Sequence, residues 1–200
     1  MKIERIVCGS LAANCYIIYQ KDGGAAYIID PGYDLKRTQE FVKAHGLAVK
    51  AILLTHAHSD HAGKAAALAE RFGVDVCAHR EELDYPYCKC SISRLFEGGE
   101  TLDMDGEAID VLHTPGHSAG GLCYYSEKSR LAFTGDTVFN VDLGYTHFPG
   151  GSEERMKNSL KTVVDRWGND VTIHPGHGDP ATMKSVREAN REFLDMVALI

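Results

Sequence analysis

The sequence holds no apolar run approaching the roughly 20 residues that a membrane-spanning helix requires. It also lacks low-complexity tracts, charge blocks and internal repeats, which removes fibrous, disordered and solenoid architectures. Positive charge is in deficit. Lys and Arg total 21 against 28 Asp and Glu, a formal net charge of −7, and that sign opposes non-specific binding to nucleic acid or to an anionic membrane. No Cys-x-x-Cys pair occurs. The six cysteines (Cys8, Cys15, Cys77, Cys88, Cys90 and Cys123) are scattered through a chain too long and too core-rich for a disulfide scaffold. Reduced thiols and a cytoplasmic location are the expectation. A cleaved leader is not expected, because Glu4 interrupts the basic start and Gly9-Ser10 breaks the apolar stretch 6–13.

What is present is the composition of a folded protein: 200 residues, 44% hydrophobic and 24% charged. No linker divides the chain, so one domain over residues 1–200 is expected. Runs rich in Ile, Val and Tyr predict strands at 2–7, 14–20 and 25–29, with a turn at Asp22-Gly23-Gly24. Helical spacing with a terminal Gly predicts helices at 35–45 and 62–72. Between them, the wholly apolar stretch 51–54 predicts a buried strand. Strands are further expected at 75–78, 101–104, 108–113, 122–125, 130–133 and 171–173, and helices at 152–167, capped by Ser152, and 183–197. Residues 80–94 read as a short helix followed by a loop. Short strands with helices before, between and after them imply an α/β fold of two packed sheets with helices outside.

Ten His and 20 Gly stand out, since neither is needed to build a core. The densest group is Thr55-His56-Ala57-His58-Ser59-Asp60-His61, between a buried strand and a helix, a position that active sites of layered α/β proteins favour. Crowded imidazoles and carboxylates are costly to bury, and a divalent ion reverses that balance. His56 and His58, two apart in extended chain, point the same way and could hold one ion; Asp60 and His61, beyond a bend, could hold a second. Three more strand ends carry a ligand type among glycines: Pro115-Gly116-His117, Gly135-Asp136 and Pro175-Gly176-His177. Taken together they supply His56, His58, Asp60, His61, His117, Asp136 and His177, enough for two ions sharing a carboxylate.

The order His-x-His-x-Asp-His, Gly-His, Gly-Asp, Gly-His, with Asn14-Cys15-Tyr16 and Ile29-Asp30-Pro31-Gly32, resembles the metallo-β-lactamase superfamily across nearly the whole chain. The resemblance implies an αββα sandwich with a metal site at the edge of its two sheets. It implies one ion on His56, His58 and His117, another on Asp60, His61 and His177, and Asp136 bridging them. Asp rather than Cys at position 136, and Phe148-Pro149-Gly150-Gly151, are similar to short bacterial hydrolases of the glyoxalase II type. The implied enzyme is a binuclear hydrolase cleaving a small thioester or ester with a hydroxide shared by the metals and oriented by Asp60. Zinc is the expected metal, with iron or manganese as alternatives. Alternatives of the same fold are a mononuclear iron persulfide dioxygenase using His56, His117 and Asp136, and a lactonase.

Where glyoxalase II relatives commonly carry Arg or Lys, this chain has Tyr145, and His147 follows two residues later. These two residues are candidates to line the substrate pocket. The helical region that helps full-length relatives bind glutathione has no counterpart in the 23 residues after His177. Among the remaining histidines, His45 and His79 read as structural, and His113 and His174 as candidates to orient a ligand. Cys88 and Cys90 read as incidental, and Trp167 as core. The expected partner is a small-molecule thioester or ester, with neither nucleic acid nor membrane involved.

Overall fold

A computed structural model of the protein describes residues 1–88 and 90–198. The first sheet takes strands β1 (Lys2–Cys8), β2 (Ala13–Tyr19), β3 (Ala25–Ile29), β4 (Ala48–Leu53), β5 (Asp75–His79) and β6 (Arg94–Phe96) in that spatial order. Pairing is antiparallel from β1 to β3 and parallel from β3 to β6. Helices α1 (Leu35–Ala44), α2 (Ser59–Ala62) and α3 (Ala65–Phe72) fall among these strands. The second sheet runs β7 (Thr101–Met104), β8 (Glu107–His113), β9 (Leu122–Ser126), β10 (Leu131–Gly135), β11 (Thr172–Pro175) and β12 (Ala181–Thr182). Here only β10 and β11 pair in parallel. Helices α4 (Glu153–Thr162), α5 (Met183–Ala189) and α6 (Arg191–Ala198) complete the described chain.

Strand periodicity sorts the apolar side chains into three layers. Ile17, Ile28 and Ile52 pack with Val42 of α1 and Leu68 of α3, whereas their neighbours Ile18, Ile29 and Leu53 pack with Val111, Tyr124 and Phe133 of the second sheet. Successive residues of one strand thus enter opposite layers. Both faces of β2 and β3 are covered, which is why these strands are fully buried and, apart from Asn14, rich in apolar residues. Cys123, Ala132 and Ile173 face the other way, onto Met156, Leu160, Val186 and Phe193 of the outer helices. The result is the αββα sandwich. Trp167 stacks on Tyr125 at 5.6 Å in this outer layer and is core, as expected.

Several boundaries differ from the sequence expectation. Strand β6 begins at the last residue of the 80–94 stretch and is not among the expected strands; it is three residues long with Arg94 and Leu95 exposed, so it carries no alternation to read. The helix expected from residue 62 begins at Ser59 and breaks between α2 and α3, and the helix expected over 152–167 ends at Thr162 with a 3-10 turn beyond it. The terminal helix breaks at Asn190. Fully buried Asn190 accepts from the Phe193 N–H at 2.8 Å and donates to the carbonyls of Phe139 and Asp142 at 3.0 and 2.7 Å. Its side chain trades helix continuity for a clamp on the 139–142 turn.

Replacing Asn190 with Ala removes a helix cap and two buried donors. It should lower stability by about 2–3 kcal/mol, read as a lower urea midpoint with an unchanged m-value.

Candidate metal centre

All seven residues singled out in the sequence meet where the carboxyl ends of β4, β8, β10 and β11 converge. His56, His58 and His117 form one group, and Asp60, His61 and His177 a second. Asp136 lies between them: its Oδ1 is 3.5 Å from His61 Nε2, and its Oδ2 is 3.6 Å from both His117 Nε2 and His177 Nε2. Within the groups, His117 Nε2 stands 3.0 Å from His58 Nδ1, His61 Nε2 stands 3.3 Å from His177 Nε2, and Asp60 Oδ2 stands 3.2 Å from His177 Nε2.

The surrounding hydrogen bonds aim these atoms inward. Asp30, at the end of β3, accepts from the Thr55 N–H at 2.7 Å and from the Thr55 hydroxyl at 2.6 Å. That hydroxyl has given its one proton to a carboxylate, so it must accept from His56 Nδ1–H, 2.9 Å away. His61 Nδ1–H donates to Asp30 Oδ2 at 3.0 Å, His117 Nδ1–H to the Tyr145 carbonyl at 2.7 Å, and His177 Nδ1–H to the Leu11 carbonyl at 3.0 Å. Each of these rings turns its Nε2 toward the centre, the arrangement that typically orients ligand histidines.

Strand β2 anchors the His177 loop across the sandwich. Asn14 donates to the carbonyls of Pro175 and Gly178, and the Tyr16 hydroxyl to that of Pro175. Gly176 is required by close approach: a Cβ there would stand 2.1 Å from Asp136 Oδ1. A Cβ on Gly144 would stand 1.8 Å from the Asp136 carbonyl oxygen.

A divalent metal fits this donor set. A tetrahedral shell with bonds near 2.0–2.1 Å sets its donors about 3.3 Å apart, the spacing of the Asp60, His61 and His177 group and close to that of the His58–His117 pair. His56 Nε2 and Asp136 Oδ1, both buried, have no hydrogen-bond partner, and neither does His58 Nε2. A third grouping, His79, Glu81 and His113, suits an ion poorly. Its two rings stack in parallel at 3.8 Å, so their lone pairs run side by side instead of converging.

Protonation divides the centre. Burial, reinforced by neighbouring imidazoles, holds His56 and His117 below the ordinary value and His58 at about 4. Burial also presses on His61, but Asp136, Asp30 and Asp60 outweigh it and lift His61 to about 9. His177 is raised by its hydrogen bond to Asp60. In Asp60, burial is outweighed by the His177 hydrogen bond and the His61 charge, and its carboxyl falls to about 2. One half of the centre is therefore neutral and ready for an ion, while the other half holds protons that an ion must displace.

A cavity of about 820 Å³ opens onto Asp60, His117, Asp136 and His177. Tyr145 lines it. His147, stacked on Tyr145, lines an adjoining cavity of about 450 Å³ instead. Phe148 packs edge-on against the rings of His58 and His117 and forms part of the main cavity wall. His113 donates to the Ala119 carbonyl in the His117 loop, whereas His174 packs between Tyr16 and Phe133. His45 stacks on Phe41 at 4.2 Å beside Asp22. The Cys88 and Cys90 sulfurs lie 3.5 Å apart outside the seven-residue cluster.

Sequence reasoning missed Glu82. Its buried carboxylate accepts from the Ala57 N–H at 2.7 Å and the Gly120 N–H at 2.9 Å, tying the His56–His58 loop to the His117 loop. A Glu in a short 3-10 turn has no signature in sequence, because its partners are backbone groups distant along the chain.

The Metallo-beta-lactamase superfamily model matches residues 8–177. The chain belongs to the metallo-beta-lactamase superfamily. Its relatives there include hydroxyacylglutathione hydrolase GloC of Haemophilus influenzae, 32% identical and covering 95% of this chain and 97% of the relative. The probable polyketide biosynthesis zinc-dependent hydrolase PksB of Bacillus subtilis is also 32% identical, over 82% of this chain and 72% of its own. The crystal structure of TTHA1623 in a di-iron-bound form superposes with a TM-score of 0.81 at 30% identity, covering 94% and 98% of the two chains. As a member of this superfamily, the chain carries its histidine and aspartate clusters at the fold's metal-binding edge. Among the described residues, no helix is long and apolar enough to cross a membrane.

Two outcomes follow from this geometry. Glu82→Gln leaves one clamped N–H facing an amide NH₂, and should weaken metal binding by about 10–100-fold, measured by chelator competition. In the metal-free protein, His61 is raised from 6.5 to about 9. Its attraction to the carboxylates stabilises the fold fully below pH ~6.5 and is lost as pH rises through about 9. Since a bound ion must displace that proton, metal affinity should climb over the same window. Calorimetry in buffers of different ionisation enthalpy should record proton release at pH 7, and release of none would contradict the assignment.

Proposed function

We propose that this protein is a binuclear metal-dependent hydrolase of a small thioester or ester, in the manner of glyoxalase II. The observation that carries the reading is the position of Asp136 between two three-residue groups, at the floor of a substrate-sized cavity. His56, His58 and His117 would hold one ion, Asp60, His61 and His177 the other, and Asp136 both. Zinc is the preferred metal, in keeping with the zinc-dependent and hydroxyacylglutathione-hydrolysing names of its relatives; the di-iron relative supports a pair of ions. Bound there, the ions would supply Lewis acidity and lower the pKa of water toward about 7.

The chain's own residues do the rest. Asp60 stays ionised, held by His177 and His61, and can accept a hydrogen bond from the attacking water and orient it. Asp30 and Thr55 keep His56 and His61 in the tautomers that face the centre. Phe148 and Leu11 exclude bulk water from one side of the cavity mouth, which strengthens electrostatic interactions inside. A thiolate leaving group departs without a strong acid, which suits a cavity lined by no Lys or Arg among the described residues. The six unpaired cysteines accord with a cytoplasmic protein acting as one unit over residues 1–200.

Asp136→Ala should keep the far-UV circular dichroism of the parent, bind fewer than two ions and lose activity by on the order of 10³-fold or more, the upper scale for losing one charge-stabilising group. A variant retaining full thioesterase activity would overturn the bridging role. One iron per chain, with oxygen uptake on glutathione persulfide, would overturn the hydrolase reading in favour of a persulfide dioxygenase.

A further inference from the structure

We infer that the cavity selects an uncharged substrate with an apolar acyl chain, and that it discriminates against the doubly carboxylated arm of a glutathione thioester. This inference rests on the hydrolase reading above. Leu11, Val141, Tyr145 and Phe148 are large apolar side chains that stand 46–71% exposed around one opening. A concentration of this kind at a concave surface marks a binding site, because a ligand recovers the cost of exposing it.

The wall is also built in advance. Val138 pairs with Leu143, the Phe139 N–H donates to the Asp142 carbonyl, Asn190 holds the carbonyls of Phe139 and Asp142, and Glu192 accepts from the Leu143 N–H. A turn held from both sides presents Val141 without an ordering cost at binding.

Charge settles which substrate arm fits. Apart from Asp60, His117, Asp136 and His177, the charged groups lining the cavity among the described residues are Asp142 and Asp179, with no Lys or Arg. The guanidinium of Arg5, outside the lining, is already engaged by the Gly178 carbonyl at 3.0 Å and Asp179 at 2.9 Å. A carboxylate carried into this cavity would lose water and meet acidic neighbours without a guanidinium to replace its hydration. In the adjoining cavity, Glu153, Glu192 and Asp195 outnumber Lys157. An alkyl or aryl acyl chain loses nothing there and buries apolar area against Val141 and Phe148. The reaction itself is ordinary hydrolysis: water adds its oxygen to the carbonyl carbon, the C–S bond breaks, and a proton of the water leaves with the thiol.

The test measures kcat/KM of the metal-loaded protein on N-acetylcysteamine thioesters from acetyl to hexanoyl, beside hexanoylglutathione and lactoylglutathione. We expect at least a tenfold rise from acetyl to hexanoyl. The hexanoyl N-acetylcysteamine thioester should exceed hexanoylglutathione by at least tenfold. Val141→Asp should flatten the chain-length series, bringing the hexanoyl-to-acetyl ratio below about threefold. A flat series in the parent protein, or a preference for either glutathione thioester, overturns the inference and leaves the hydrolase reading standing. Failure to hydrolyse any of these thioesters, or the corresponding oxygen esters, overturns the hydrolase reading and this inference with it.

Discussion

Everything in this molecule is arranged around the burial of donor atoms that repel one another. Four imidazoles and two carboxylates bring polar atoms to within 3.0–3.6 Å of one another at the meeting of two sheets, with His56 beside them. Burial alone disfavours such a set, since each group has surrendered water and several have received no partner. The centre persists because the groups are held from behind. Asp30 illustrates this economy of contacts: one carboxylate orders Thr55, through Thr55 it orders His56, and directly it orders His61. The neutral and protonated halves follow from the same layout. Where carboxylates crowd an imidazole its proton is retained, and where imidazoles crowd one another the proton is lost.

The sandwich supplies the rigidity that this requires. Strands β4, β8, β10 and β11 all end at one edge, so short loops suffice to carry every ligand. Contacts across the two sheets then tie those loops together. Asn14 and Tyr16 of the first sheet hold the His177 loop of the second, and Glu82 joins the His56–His58 loop to that of His117. Asn190 extends this role outward. By breaking the terminal helix it secures the turn that forms the cavity wall. The seven-residue centre and the cavity wall are also joined directly, through the Tyr145 carbonyl on His117 and the Phe148 ring on His58 and His117.

Much of this was legible in the chain. The wholly apolar end of β4 announced a buried strand, and the His-x-His-x-Asp-His segment announced chemistry because no core has use for it. The seven residues of the centre could be named because four crowd into one strand-to-helix segment, while His117, Asp136 and His177 each stand beside a glycine at a strand end. Glu82 and Asn190 could not be named. Both act on backbone groups distant in sequence, and neither residue type is unusual in a turn or at a helix end. Strand β6 escaped for a related reason: its pairing with β5 supplies structure that three residues with two exposed side chains do not advertise.

By itself, the sequence determined the layered α/β architecture and the identities of the clustered histidines and aspartates, because hydrophobic periodicity and residue chemistry are local properties. Only the tertiary structure decided how those donors share Asp136, which of them keep protons, and that Tyr145 reaches the main cavity while His147 lines only the adjoining one. It also gathered Leu11, Val141 and Phe148 around an acidic mouth. Convergence, desolvation and cavity charge depend on distances between segments far apart along the chain, and those distances exist only once the two sheets have packed.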